Sequence, residues 1–154
     1  MSTLGRMSTD KFAKIKGGET SFGMFFPTGY VVVTFEKLQE AQQAQAVLLT
    51  AGFVEDDVLL FTGPEVIQHD HELKKNANLL TKLEALLSNM GDESNYVDQY
   101  LELAHKNHTF LLVYAPDDKD SKHVAALIKP FHPHRARKYD AMKVIDLYPS
   151  SSGL

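Results

Sequence analysis

The chain has no cysteine among its 154 residues. That excludes a disulfide framework, thiolate zinc sites, iron–sulfur clusters and a cysteine nucleophile. A reducing cytoplasm is the compartment this composition fits most simply. No run approaches the roughly 18 apolar residues that a membrane-spanning helix needs, so no membrane contact is expected. The N-terminus carries Arg6, Asp10, Lys11, Lys14 and Lys16 with no long apolar core, which is not the pattern of a secretory signal. Excess positive charge is lacking too. The net charge is −4, whereas general nucleic-acid binders show a basic face and often a pI above about 9. Nucleic acid is therefore not an expected partner.

Two signature motifs are also missing. Gly17-Gly18 and Gly63-Pro64 match neither phosphate-loop fingerprint. No nucleophile-elbow pattern surrounds any serine. The acid pairs Asp56-Asp57 and Asp117-Asp118 read as a turn and a helix cap rather than a catalytic dyad.

What is present describes one domain, by the usual size of about 100–200 residues. A domain of this length buries roughly 68–70% of its unfolded surface, so it needs no staple. Residues 1–28 read as an arm or extension, because Gly5, Gly17, Gly18, Gly23 and Pro27 break any period. The apolar patch Phe22-Gly23-Met24-Phe25-Phe26 suits an arm lying over a sheet edge or a dimer neighbour, or a lid over a ligand. Residues 29–147 form the domain, and 148–154 a frayed tail.

Within the domain, Tyr30–Phe35, Val58–Thr62 and Thr109–Ala115 are short, apolar and β-rich, as buried strands are. Helical spacing runs from Glu36 to Ala51 and closes at Gly52, where positive φ is expected. Gly63-Pro64-Glu65 opens a second helix reaching toward Asn89, and a third runs from Asp92 to Asn107. A fourth covers Lys119–Ile128. A last strand is expected from Lys138 to Leu147, at a sheet edge because of Lys138, Asp140, Lys143 and Asp146. Two β–helix–β halves joined by helices give an α+β, ferredoxin-like plan of four strands, with a helical insertion between strands 2 and 3.

The richest chemistry lies in Pro130-Phe131-His132-Pro133-His134-Arg135-Ala136-Arg137-Lys138-Tyr139-Asp140. In an extended chain, alternate residues share a face. Arg135, Arg137 and Tyr139 then line up, and Pro133 places His132 and His134 together. Two guanidinium forks suit a phosphate or carboxylate, and a neighbouring ring can stack or hydrogen-bond. The competing reading is a strand whose arginines pair with acids and whose tyrosine covers the sheet. A metal is not expected: two imidazoles need further ligands. His69-Asp70-His71 sits on a helix, where residues two apart diverge. The aromatics Phe35, Phe61, Phe110 and Tyr114 lack the basic, glycine-spaced signature of an RNA-reading sheet.

Val31-Val32-Val33-Thr34-Phe35, a helix closing in Leu49-Thr50-Ala51-Gly52-Phe53, and Asp56-Asp57-Val58-Leu59-Leu60-Phe61 resemble small bacterial general-stress-protein-type α/β domains. His108 to Pro116 followed by His134 to Asp140 resembles a related uncharacterised bacterial group ending in an Arg-Ala-Arg-x-Tyr strand. The resemblance spans roughly residues 29–147. It implies a cytoplasmic, stress-associated bacterial protein and supplies no catalytic residue. The expected function is non-catalytic binding of an anionic small molecule by His132, His134, Arg135, Arg137 and Tyr139, in a homodimer and without a cofactor. The alternatives are a small enzyme with a cavity at a dimer interface, or a pure interaction module using Phe22, Phe25 and Phe26.

Overall fold

Tyr30–Phe35 forms β1, and all six residues are buried. A strand buried along its whole length needs neighbours on both edges and cover on both faces. β1 has all four. The computed structural model describes residues 11–16, 27–75, 78, 81, 96–140 and 143–148. After β1 come α1 (Leu38–Thr50), β2 (Val58–Phe61), α2 (Gly63–Lys74) and α3 (Tyr96–His105). Then follow β3 (Thr109–Tyr114), α4 (Asp118–Ile128), β4 (Arg135–Asp140) and β5 (Lys143–Tyr148). The result is a mixed α+β fold around one antiparallel sheet of order β2-β3-β1-β4-β5.

Alternation along the strands divides the core in two. Val31, Val33, Phe35, Leu111, Val113 and Ala136 face α1 and α4, which contribute Ala41, Ala44, Leu48, Val124 and Ile128. Tyr30, Val32, Phe61, Phe110, Leu112 and Tyr139 face α2 and α3, which contribute Val66, Tyr100 and Ala104. The continuous apolar runs of the strands follow from this double cover.

The expected last strand is corrected in two ways. Residues 135–140 and 143–148 are two strands, β4 and β5, paired antiparallel with each other. β4 is interior, lying between β1 and β5. On β4 charge does not mark an edge, because Lys138 is satisfied inside, whereas β5, with Lys143 and Asp146, does end the sheet among the described residues. Lys138 is 1% exposed, and its ammonium donates to the Pro116 carbonyl and the Ser121 hydroxyl. The long stem packs while the head finds acceptors.

Helix ends follow local chemistry. Gly52 takes φ +113 after α1, and the Phe53 N–H returns to the Leu48 carbonyl. Glu36 lies before α1 rather than in its first turn, where Glu40 stands instead. At α2, Thr62 and Glu65 form a capping box: the Thr62 N–H donates to Glu65 Oε1, and the Glu65 N–H to Thr62 Oγ1. Asn107, at φ 69, turns the chain out of α3. The predicted reach of α2 toward Asn89, and the start of α3 at Asp92, lie outside the described residues.

The described part of the N-terminal arm packs on the chain's own sheet. Ile15 is 2% exposed, and Phe12 stacks on Phe61 at 4.4 Å and on His69 at 4.1 Å. Lys11 Nζ donates to the Leu60 carbonyl of the outermost strand β2 and pairs with Glu65, both at 2.9 Å. A lysine on an edge carbonyl blunts that edge against other strands. Phe22, Phe25 and Phe26 lie outside the described residues.

The start of α2 abuts the end of α3 very closely. A Cβ on Gly63 would stand 2.4 Å from the Ala104 carbonyl oxygen, a backbone atom with little room to yield. Gly63→Ala is expected to cost about 1–3 kcal/mol, the usual range for overpacking. Urea unfolding of the variant checks this. An unchanged midpoint would mean that α2 and α3 separate freely.

Candidate functional site

On β4, Arg135, Arg137 and Tyr139 share the face that α3 covers, as their alternation requires. Between α3 and β4 lies a cleft of about 220 Å³. Its wall includes Tyr100, Glu102 and Lys106 from α3 and its C-terminal turn, and His134, Arg135 and Arg137 from the β4 side. Burial grades across these residues. His134 is exposed, Arg135 half-buried, Arg137 3% exposed and Tyr100 1% exposed. The cleft thus gathers two guanidinium groups, one ammonium and one imidazole around a single carboxylate.

That carboxylate is already engaged. Glu102 and Lys106 form an exposed i,i+4 ion pair at 3.5 Å. Such pairs contribute only about 0.3–0.5 kcal/mol, so Lys106 is released cheaply to a stronger partner. Arg137 is at the register position facing Asp146 on β5 and Val32 on β1. The Tyr139 hydroxyl donates to the Tyr100 hydroxyl, and the Tyr100 ring meets Phe110 edge-on at 5.7 Å. This buried pair fixes the wall of the cleft from behind.

The five residues picked out in the sequence do not stay together. His134, Arg135 and Arg137 line the cleft. Tyr139 is fully buried. Its ring cannot stack on a ligand, and it acts on the cleft through Tyr100. His132 adopts a left-handed conformation at φ 60, which turns it away from the extended course expected beside Pro133. It pairs with Glu40 of α1 at 3.3 Å, with its side chain 79% exposed. His132 and His134 therefore do not offer a shared pair of imidazoles. Among the described residues, no group of three His, Asp or Glu side chains is placed to hold a metal ion. No helix among them is long and apolar enough to cross a membrane.

Sequence reasoning missed Tyr100, Glu102, Lys106 and His108. A polar stripe at Gln99, Glu102 and Lys106 recurs at helical spacing, and that was the available signal. His108 follows α3, with its N–H on the Leu103 carbonyl at 3.0 Å. Its ring meets that of His134 edge-on at 5.0 Å. Nδ1 of His108 is buried with no hydrogen-bond partner. Burial, and then the neighbouring His134, push its pKa below the ordinary 6.5, while Glu36 opposes the shift.

The unfolded chain takes up the His108 proton near 6.5, but the folded chain resists it until lower pH. Stability therefore falls as pH drops below 6.5 toward the lower folded value. His69 shifts in the same direction through burial, so it contributes a similar loss. His108→Gln is expected to remove part of the acid-induced drop in melting temperature, read between about pH 7.5 and pH 5. A drop of unchanged size would show that His108 accepts a proton without penalty. No family model, curated protein or solved structure matches this chain, so the chemistry of the cleft is read from its own residues.

Proposed function

We propose that the protein binds a small anionic molecule without transforming it, in the cleft between α3 and β4. The observation that carries this reading is the convergence of Arg135, Arg137, Lys106 and His134 on one cleft whose carboxylate, Glu102, already has a partner. A guanidinium fork offers two parallel N–H groups to a phosphate or carboxylate. Arg137, shielded from water, loses less to solvent screening than a surface charge does. The cleft, at about 220 Å³, is below the roughly 300–1,000 Å³ of drug-sized sites. It suits inorganic phosphate or a short carboxylate.

The order β2-β3-β1-β4 with antiparallel neighbours supports a ferredoxin-like plan, with α2 and α3 between its second and third strands and β5 added to it. The resemblance of the strand and helix motifs supports a cytoplasmic, stress-associated bacterial protein. The homodimer belongs to the same reading. β5 ends the sheet with no further strand beyond it among the described residues, an edge that a second copy can extend.

The test is calorimetric titration of the intact chain with inorganic phosphate and with malonate at low salt. Arg135→Ala is expected to weaken binding roughly 10- to 100-fold, from the ~1.5–3 kcal/mol of a hydrogen bond to a charged group. Lys106→Ala is expected to cost less, and neither change should move the melting temperature, since both side chains reach solvent. Arg137→Ala should lower stability as well as binding. Equal affinity in wild type and Arg135→Ala, or no binding of either anion, would overturn the proposal.

A further inference from the structure

A second and larger cleft has the opposite electrical character. It measures about 430 Å³ and forms where the loop after α1, the turn before β2, the end of β3 and the start of α4 meet. Its walls include Phe53, Asp57, Tyr114, Pro116, Asp120 and His123. The rings of Phe53 and His123 lie 6.3 Å apart, tilted at 46°. Aromatic faces beside carboxylates are the surroundings in which organic cations are recognised.

The chain itself supplies one such cation. Lys16 Nζ sits 2.7 Å from Asp57 Oδ1 and 4.4 Å from the centre of the Tyr114 ring. Its backbone N–H donates to the Tyr30 hydroxyl at 2.8 Å, and the Tyr30 ring lies 5.1 Å from that of Tyr114. Asp120, half-buried in the first turn of α4, adds its carboxylate to the wall. The wall thus carries two carboxylates, and one of them, Asp57, is held by Lys16, which is not itself part of the wall. Lys16 is half exposed, at 49%. The lysine end of the pair opens to solvent while Asp57 is 18% exposed, so the ammonium can leave to water.

We infer that this cleft is a binding site for a small alkylammonium compound such as a diamine, which competes with Lys16 for Asp57 and the ring of Tyr114. An incoming ammonium replaces Lys16 on the ring of Tyr114 and on Asp57. Asp120 receives the second positive charge. A hard metal ion fits less well. Calcium takes six to eight oxygen ligands, and no group of three acidic or imidazole side chains is placed to hold an ion among the described residues. The ring of Tyr114, by contrast, is useful only to a cation with an apolar or weakly hydrated body. The site shares no residue with the anion cleft and does not depend on that reading.

The experiment is a titration of the intact chain with 1,4-diaminobutane, followed by calorimetry and by NMR shifts of the aromatic rings. Lys16→Ala removes the competitor and is expected to tighten binding about threefold or more, whereas Asp120→Asn is expected to weaken it about tenfold. 1,4-Butanediol, the uncharged counterpart, should not bind, and Arg135→Ala should leave diamine binding unchanged. Nα-acetyl-lysine amide separates the sources of the cation: tighter binding than the diamine marks a lysine side chain, weaker binding a free amine. Thermal scans of Lys16→Ala and Asp120→Asn confirm that both fold, and Asp120→Ser replaces the latter if it does not. An affinity that Lys16→Ala leaves unchanged or weakens, or that Asp120→Asn leaves intact, overturns the site. So does absence of diamine binding to Lys16→Ala at millimolar concentration.

Discussion

Burying a strand that reads Arg-Ala-Arg-Lys-Tyr-Asp is the constraint on which the rest of this structure depends. β4 lies inside the sheet, so every polar head on it must find a partner or a way out. Its two faces solve the problem differently. On one, Lys138 bonds the Pro116 carbonyl and the Ser121 hydroxyl, which ties the β3–α4 connection to the strand. The single Ser121 proton is in turn shared between the carbonyls of Ala115 and Asp117. On the other face, Arg137 remains beside a cleft and Tyr139 leans on Tyr100. A buried strand with three long polar side chains thus fixes one loop and leaves one opening.

The helices determine which face carries which result. α1 and α4 close over small residues, Ala41, Ala44 and Ala136, and the core there is continuous. α2 and α3 close over larger rings, and their own junction is set by the contact between Gly63 and Ala104. α3 therefore ends where Asn107 turns it out, with Lys106 and His108 next to the approach to β4. Because the helix stops short, the guanidinium groups border open space.

Much of the architecture was legible. Continuous apolar runs located β1, β2 and β3, and Gly52 marked the end of α1, because these features reflect local backbone and burial rules. The pairing of β4 with β5 was not legible. Charge was read as the mark of an exposed edge, yet Lys138 meets its acceptors through a connection 17 to 22 residues earlier in the chain. A one-dimensional pattern does not contain that contact. The candidate site was half legible for the same reason. Alternation put Arg135 and Arg137 on one face, but it could not foresee that Tyr139 would be sealed under Tyr100. Nor could it foresee that His132 would turn toward Glu40 by adopting a left-handed conformation.

The two clefts meet different parts of the same strand and its contacts. Arg137 borders the cleft proposed for an anion, while Lys138, the next residue, holds the Pro116 carbonyl whose residue lines the cleft proposed for a cation. Adjacency of this kind invites the idea of coupling. Physical coupling requires an element with two arrangements that both sites bias. β4 does not supply one. Val31 to Thr34 of β1 pair with it on one side and β5 on the other, and its central side chains are buried on both faces. A strand held on four sides transmits strain poorly unless it slips register, which would reverse every one of its side chains. The two proposed sites are therefore independent, each with the charge of the groups around it and each positioned by the same doubly paired, doubly covered strand.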